Sequence, residues 1–292
     1  MYKQIDSNKR LSWLLIAIFT GIMVGGGWFF SYQYNNPLIL YIVIAFTLFQ
    51  AFSSYWYSDS ISLAISGAQE APKKDYLQLH RLVENLCIAA GLPKPKVYVI
   101  RDDAPNAFAT GRDPKHAAVA VTTGLLNLLN KRELEGVIAH ELSHIGNYDT
   151  LVMTITVVLV SVIAIISDLY IRMQWLGFGR KDNQGNNGII AIIGFVFMIV
   201  TPIVASLVQL AVSRKREYLA DASSALLTRF PEGLAEALEK ISIDAHQLKH
   251  VSTATAHLFI ANPFKKDNWA SNLFSTHPPI KERIARLRTM IK

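Results

Sequence analysis

The stretch Asn130–Thr150 reads NKRELEGVIAHELSHIGNYDT and contains an H-E-x-x-H motif at His140, Glu141 and His144. Residues four apart on an α-helix lie about one turn apart on the same face, so the two imidazoles can bind one ion. Glu141 lies roughly 100° around the helix from His140, within reach of a water on that ion. Zinc binds imidazole and carboxylate groups, and a catalytic zinc ion keeps one position open for water. The motif therefore predicts a catalytic zinc site. The alternative is an amphipathic helix with two surface histidines.

The residues around the motif predict that it lies on a helix outside the membrane. Asn130 and Glu133, three positions apart, are typical of a capping box. Charged residues precede the motif, and charges are costly at the bilayer centre. Apolar residues recur at helical spacing before, within and after the motif: Leu134, Val137, Ile138, Leu142 and Ile145.

The composition indicates an integral membrane protein with one polar domain. The chain has 292 residues, of which 51% are hydrophobic, and a mean hydropathy of +0.26. This is apolar for a soluble protein of that length. Its single cysteine excludes an intramolecular disulfide and a cysteine-rich zinc site. The net charge of +7 arises from basic residues beside apolar runs, which favours contact with the lipid bilayer and no nucleic-acid partner.

Four apolar runs are long enough to span a membrane: Leu11–Phe30, Leu38–Trp56, Leu151–Tyr170 and Ile189–Val212. They divide the chain into two transmembrane helices (1–56), the first part of a polar domain with the motif helix (57–150), a transmembrane hairpin (151–212) and the second part of that domain (213–292). Because four spans cross the membrane an even number of times, both termini and both polar segments lie on the same side of the membrane. Basic residues near the span ends are more frequent there, so this side is predicted to be the cytoplasm.

A small β-sheet is predicted just before the motif helix. Its strands are Lys96–Arg101, Asn106–Thr110 and Ala117–Thr122, separated by turn residues. A strand at the edge of this sheet could pair with an extended peptide, whereas an ordinary hairpin is the alternative. The predicted fold class is α+β: a mainly helical integral membrane protein with four transmembrane helices and a small sheet in its polar domain.

A catalytic zinc site needs a third protein ligand. The metzincin continuation is absent, because Asn147 and Thr150 stand where glycine and histidine would be required. Glu217 and Asp221 are four residues apart and share a helix face, so one can bind zinc while the other accepts a hydrogen bond from a ligand imidazole. A solvated helix with local ion pairs fits the same spacing. The membrane hairpin favours a site on two helices that rise from its cytoplasmic end.

Four short motifs together resemble the HtpX family of membrane-bound zinc metalloproteases, which are of the gluzincin type and related to CAAX prenyl proteases. They are NAFATG (106–111), HELSH (140–144), SRKREYLAD (213–221) and STHPP (275–279). The resemblance covers nearly the whole chain, including the membrane hairpin. It implies a zincin-like catalytic domain in the cytoplasm and one Zn²⁺ per chain. It also implies the cleavage of misfolded or damaged proteins in the bacterial inner membrane.

The resemblance also implies roles for individual residues. Glu141 would take a proton from a zinc-activated water that attacks the peptide carbonyl, and His277 is the candidate donor to the oxyanion, with a plain loop histidine as its alternative. The metal ligands would be His140, His144 and Glu217, the hydrogen-bond partner of His140 would be Asp221, and the strand that pairs with substrate would comprise Asn106, Ala107, Phe108 and Ala109.

Three expectations follow for function. Unfolded membrane proteins are the expected substrates, and the chain itself is a further candidate. A CAAX prenyl-type protease is the first alternative, although four spans are few for its large barrel. A non-catalytic membrane scaffold that binds zinc is the second, with His246, His250 or His257 as a fourth ligand.

Overall fold

The structure, a computed structural model, describes residues 2–175, 214–244, 246, 248, 254–261 and 278–290. Its strands are β1 Gln69–Glu70, β2 Lys96–Ile100, β3 Ala107–Gly111 and β4 Ala117–Thr122. Short 3-10 turns cover Pro114–His116 and Ala256–Leu258. The helices are α1 Tyr2–Gln33, α2 Pro37–Trp56, α3 Ser58–Ile65, α4 Leu77–Ala90, α5 Thr123–Leu128, α6 Lys131–Gly146, α7 Asp149–Trp175, α8 Arg214–Thr228, α9 Pro231–Ile243 and α10 Ile280–Thr289.

The four strands form one mixed sheet in the order β1-β2-β4-β3. Strand β2 runs parallel to β4, while β1 and β3 are antiparallel to their neighbours. The two strands predicted at Asn106–Thr110 and Ala117–Thr122 are present as β3 and β4 and pair antiparallel, with Ala107 opposite Val121 and Gly111 opposite Ala117. Gly111 has φ +133°, and a Cβ there would collide with the carbonyl oxygen of His116. The chain therefore needs glycine at this turn. In the strand order, β3 lies at the edge of the sheet.

Both faces of the sheet are buried. Val119 and Val121 of β4 pack in a core with α4, α6 and α9. Ala118 and Ala120 of the same strand pack on the opposite face with α1 and α7. A strand covered on both faces reads as a continuous apolar run, which explains the sequence AAVAVT. The sheet thus separates the motif helix from the apolar helices.

The motif helix α6 begins as predicted. The Asn130 side chain accepts a hydrogen bond from the Glu133 N–H at 3.1 Å, and Glu133 accepts one from the Asn130 N–H at 2.9 Å, so the capping box is confirmed. The other end differs from the expectation. Tyr148 adopts φ +60°, and α7 leaves at 83° to α6. The motif helix therefore does not rise from the third apolar run but lies across it.

Two of the described helices are long and apolar enough to cross a membrane: Gln4–Gln33 and Pro37–Trp56. Counting the bent pair of α6 and α7 as one span would raise the number to three. Large apolar side chains on the first two helices are exposed, among them Trp28 (61%) and Phe49 (69%). The fourth apolar run, 189–212, lies outside the described residues, so the number of four spans stays a prediction.

Candidate metal centre

Two helices bring three metal-binding side chains together. His140 and His144 lie one turn apart on α6, and Glu217 reaches them from the first turn of α8. The two Nε2 atoms are 3.2 Å apart. Glu217 Oε1 lies 3.5 Å from His144 Nε2, and its Oε2 lies 3.8 Å from His140 Nε2. All three residues are buried, so the interpretation of α8 as a solvated charged helix is wrong.

The dimensions of this group fit a tetrahedral zinc ion. Bonds of about 2.0–2.2 Å at tetrahedral angles place donor atoms roughly 3.3–3.6 Å apart, close to the separations of the three ligand atoms. The charge fits as well. The cluster buries four carboxylates (Glu141, Asp149, Glu217 and Asp221) and two guanidinium groups (Arg216 and Arg283). With the carboxylates ionised and both imidazoles neutral, the state in which the histidines can bind a metal, two negative charges are left. A divalent cation would balance them.

Each imidazole contacts a carboxylate through its other nitrogen. His140 Nδ1 lies 3.0 Å from Asp221 Oδ1, and His144 Nδ1 lies 3.0 Å from Asp149 Oδ2. Burial acts to lower the pKa of His144, but the hydrogen bond to Asp149 and the charge of Glu217 raise it to about 9. The hydrogen bond to Asp149 fixes the tautomer of His144 in which Nε2 is free to bind a metal, and the ion-pair contact with Asp221 favours the same tautomer of His140. The predicted partner, Asp221, lies where it can do this; Asp149 was not predicted.

Arg283 from α10 supports the second ligand helix. It is fully buried, and its Nε and Nη2 donate to the two carboxylate oxygens of Asp221 at 3.0 and 2.7 Å. Its Nη1 lies 3.6 Å from Glu217 Oε2. Burial acts to raise the pKa of Asp221, but the Arg283 guanidinium holds it down, at about 2. Asp221 therefore stays ionised beside His140.

Glu141 is 1% exposed, and its carboxylate interacts electrostatically with His144, Glu217 and Arg283. The Ala109 N–H donates to its carboxylate, while its Oε1 has no hydrogen-bond partner among the described residues. Burial raises the pKa of Glu141 to about 7, and the charge of Glu217 acts in the same direction. A carboxylate with a pKa near neutrality suits general-base chemistry, because it can both accept and return a proton.

The strand proposed to pair with substrate lies beside this carboxylate. The main-chain groups of Ala107 and Ala109 point away from β4, since Ala107 O accepts from the Ile260 N–H at 3.0 Å and Ala109 N–H reaches Glu141. By strand alternation, Phe108 has its main-chain groups turned toward β4. Its ring packs against Phe259 in the core. Of the four residues predicted to pair with substrate, Ala107 and Ala109 are therefore the two whose main-chain groups face away from β4.

The chain's own segment Ala254–Ala261, here called the inner strap, lies along that edge. Besides the Ile260 contact, the Asn106 side chain donates to Ala261 O at 3.1 Å and accepts from Ala261 N at 3.4 Å. Arg283 Nη1 donates to Ile260 O at 3.1 Å. The strap thus occupies the hydrogen-bonding position next to Ala107.

Among the described residues, the candidate fourth ligands His246 and His257 do not join the cluster. His257 is buried, and its Nε2 lies 3.1 Å from Met153 O, while His246 is exposed beside Asp244. Cys87 lies on the core-facing side of α4, and burial raises its pKa to about 11. His250 and His277 lie outside the described residues. In the described part of the chain, the metal-binding group contains only His140, His144 and Glu217.

Sequence reasoning missed Arg283, although a signal was present. Ile280, Ile284 and Leu287 form the apolar stripe of α10, and Arg283 stands on that stripe. An arginine at an apolar position of an amphipathic helix indicates a buried acidic partner. Nothing in the local pattern marked Asp149 or the inner strap.

Comparison with protein families and known proteins shows which family the chain belongs to. Residues 73–291 match the model of peptidase family M48. The chain is 46% identical to a protease HtpX homologue of Thermoanaerobacter pseudethanolicus, over 99% of this chain and 98% of the relative. It is 48% identical to one of Pyrococcus furiosus, over 94% and 93%. The resemblance to the HtpX family is confirmed.

A solved structure shares the fold. The crystal structure of S. mikatae Ste24p superimposes with a TM-score of 0.52 at 19% identity, covering 98% of this chain and 67% of the other. At this identity the likeness concerns the fold alone.

Proposed function

Because the chain belongs to peptidase family M48, we propose that it is a membrane-anchored zinc endopeptidase that cleaves unfolded or damaged membrane proteins. The observation that carries the proposal is the buried group of His140, His144 and Glu217 with Glu141 beside it. Three protein ligands leave a fourth position for water, as in catalytic zinc sites, whereas structural sites are closed by four.

The residues around the cluster supply the remaining chemistry. When bound, zinc would act as a Lewis acid that polarises a peptide carbonyl and lowers the pKa of a water molecule. Glu141 would accept the proton of the attacking water through its carboxylate and deliver it to the leaving amine. Asp221 and Asp149 hold the two imidazoles, and Arg283 holds Asp221. His277 remains our predicted donor to the oxyanion.

We further propose that the chain spans the bacterial inner membrane several times, with the catalytic domain and both termini in the cytoplasm. Two long apolar helices with exposed aromatic side chains support membrane insertion. Recognition through main-chain groups of Ala107 and Ala109 would depend little on substrate sequence, which suits a protease for unfolded chains and allows cleavage of the protein itself.

Extended substrates must compete with the inner strap for the edge of β3. The Ala107 carbonyl already accepts from Ile260, so a peptide can pair there only after the strap moves. Replacing Ile260 by proline removes that N–H. We expect the Ile260→Pro variant to cleave an unfolded polypeptide about threefold to tenfold faster at low substrate concentration. This factor corresponds to the net free energy of the one hydrogen bond that no longer holds the strap on β3.

The matched control for this prediction is Ile260→Val, which keeps the N–H and most of the apolar volume. Rates of peptide cleavage and thermal unfolding would be measured for both variants. If Ile260→Pro stays folded but cleaves no faster than Ile260→Val, substrate does not use the position next to Ala107.

Removal and return of the metal tests the proposed function directly. Purified protein in detergent, stripped with a chelator, should lose cleavage of an unfolded polypeptide and regain it with about one equivalent of Zn²⁺. Intact mass would record cleavage of both the polypeptide and the protein itself. Zinc binding without any cleavage would favour the non-catalytic scaffold, and cleavage confined to prenylated CAAX peptides would favour a CAAX prenyl-type protease.

A further inference from the structure

A buried amide on the first helix reaches the support of a metal ligand. Asn8 of α1 is 2% exposed. Its Nδ2 donates to Asp149 Oδ1 at 2.6 Å and to the Asn147 carbonyl at 2.9 Å. Its Oδ1 accepts from Arg216 Nη1 at 3.2 Å. Both hydrogens of the amide and its oxygen are therefore used.

The partners of Asn8 belong to the two segments that carry the metal ligands. Asn147 directly follows α6, Asp149 is the first residue of α7, and Arg216 directly precedes Glu217 on α8. Asp149 uses one oxygen for Asn8 and the other, Oδ2, for His144 Nδ1 at 3.0 Å. Arg216 Nε lies 3.9 Å from Asp149 Oδ1, which adds a positive charge on the same side.

We propose that Asn8 is a positioning residue of the metal centre. It acts through Asp149, whose orientation sets the tautomer and direction of the His144 ring. The inference rests on the proposed zinc protease function. It gives the first helix a role besides anchoring, since α1 then holds part of the site 141 residues away in sequence.

The chemistry of an amide suits this position better than other side chains of its size. Leucine has a similar shape but offers no donor, so Asp149 Oδ1 would lose its shortest contact. A carboxylate would bring two acceptors together at a distance where the amide now donates. Substitution of a residue that hydrogen-bonds to a metal ligand typically lowers metal affinity or activity by about 10–100-fold. Asn8 contacts Asp149 and not the ligand His144 itself, so its substitution is expected to have a smaller effect.

Zinc affinity is the discriminating measurement. For the full-length protein in detergent, competition with a chelating dye should show about threefold to tenfold weaker zinc binding by Asn8→Leu, against about 10–100-fold for Asp149→Asn. Ser12→Ala is the matched control: Ser12 is equally buried one turn along α1, and its hydroxyl donates only to Asn8 O. It should bind zinc within about twofold of the parent. Asn8→Ala replaces Asn8→Leu if the latter fails to fold.

A double-mutant cycle shows whether Asn8 acts through Asp149. In the Asp149→Asn background, Asn8→Leu should weaken zinc binding no further than about twofold. Additive losses, or parental zinc affinity in Asn8→Leu, would overturn the inference while the parent still binds zinc and cleaves. Lower thermal stability of the zinc-free variant with unchanged zinc affinity would also overturn it, because packing alone would then explain Asn8. A parent that binds no zinc would overturn both this inference and the proposed function.

Discussion

Glu141→Gln is expected to lower the rate of peptide cleavage by about 10²–10⁴-fold, the usual contribution of a general base. The amide has nearly the same shape as the carboxylate but cannot accept a proton from water. Glu141 is not one of the three predicted ligands, so zinc should remain bound with about parental stoichiometry. The measurement is cleavage of an unfolded polypeptide at saturating zinc, with metal content determined on the same sample.

The same substitution elsewhere on α6 provides the control. Glu135 pairs only with Lys131 at 3.9 Å, on the exposed side of the helix, so Glu135→Gln should cleave at the parental rate. Zinc-loaded Glu141→Gln with full activity would refute the mechanism, because another group would then have to take the proton.

Glu217→Gln is expected to weaken zinc binding by more than about 100-fold. Substitution of a residue that only hydrogen-bonds to a metal ligand already lowers metal affinity by about 10–100-fold, and Glu217 is a predicted ligand itself. The neutral amide is a poor zinc ligand, and the buried cluster also loses one of its negative charges. Cleavage should fall with metal occupancy. Added zinc should raise the unfolding temperature of the parent but not of the variant, because an ion stabilises only the folded state that binds it.

Two further variants make this result interpretable. Glu217→Ala should behave like Glu217→Gln if ligation matters and not the shape of the side chain. Glu236→Ala on the neighbouring helix α9 removes a half-buried carboxylate outside the cluster and should keep parental zinc affinity. Unchanged zinc binding in both Glu217 variants would mean that another group supplies the third ligand.

Local patterns in the sequence determined much of the catalytic domain. The spacing of His140 and His144, the capping box at Asn130 and the two apolar faces of β4 each involve residues within a few positions of one another. Such short-range signals follow directly from helix and strand periodicity. For the third ligand, spacing alone leaves Glu217 and a solvated helix as alternatives, and the resemblance to the HtpX family favours Glu217.

The bend after α6 shows where periodicity stops being informative. Asn147 and Tyr148 interrupt a stretch that is helical on both sides, and Tyr148 takes a left-handed conformation that is uncommon for its residue type. This turn places Asp149 against His144, which no continuous helix from α6 into α7 would do.

Only the tertiary structure decided the contacts that complete the site. Arg283 meets Asp221 across 62 positions, Asn8 meets Asp149 across 141, and Asn106 meets Ala261 across 155. Contacts at such separations leave no repeat in the sequence, since they depend on how the helices pack on both faces of the sheet. The sequence by itself determined which residues can bind a metal, and packing decided which side chains hold them in place.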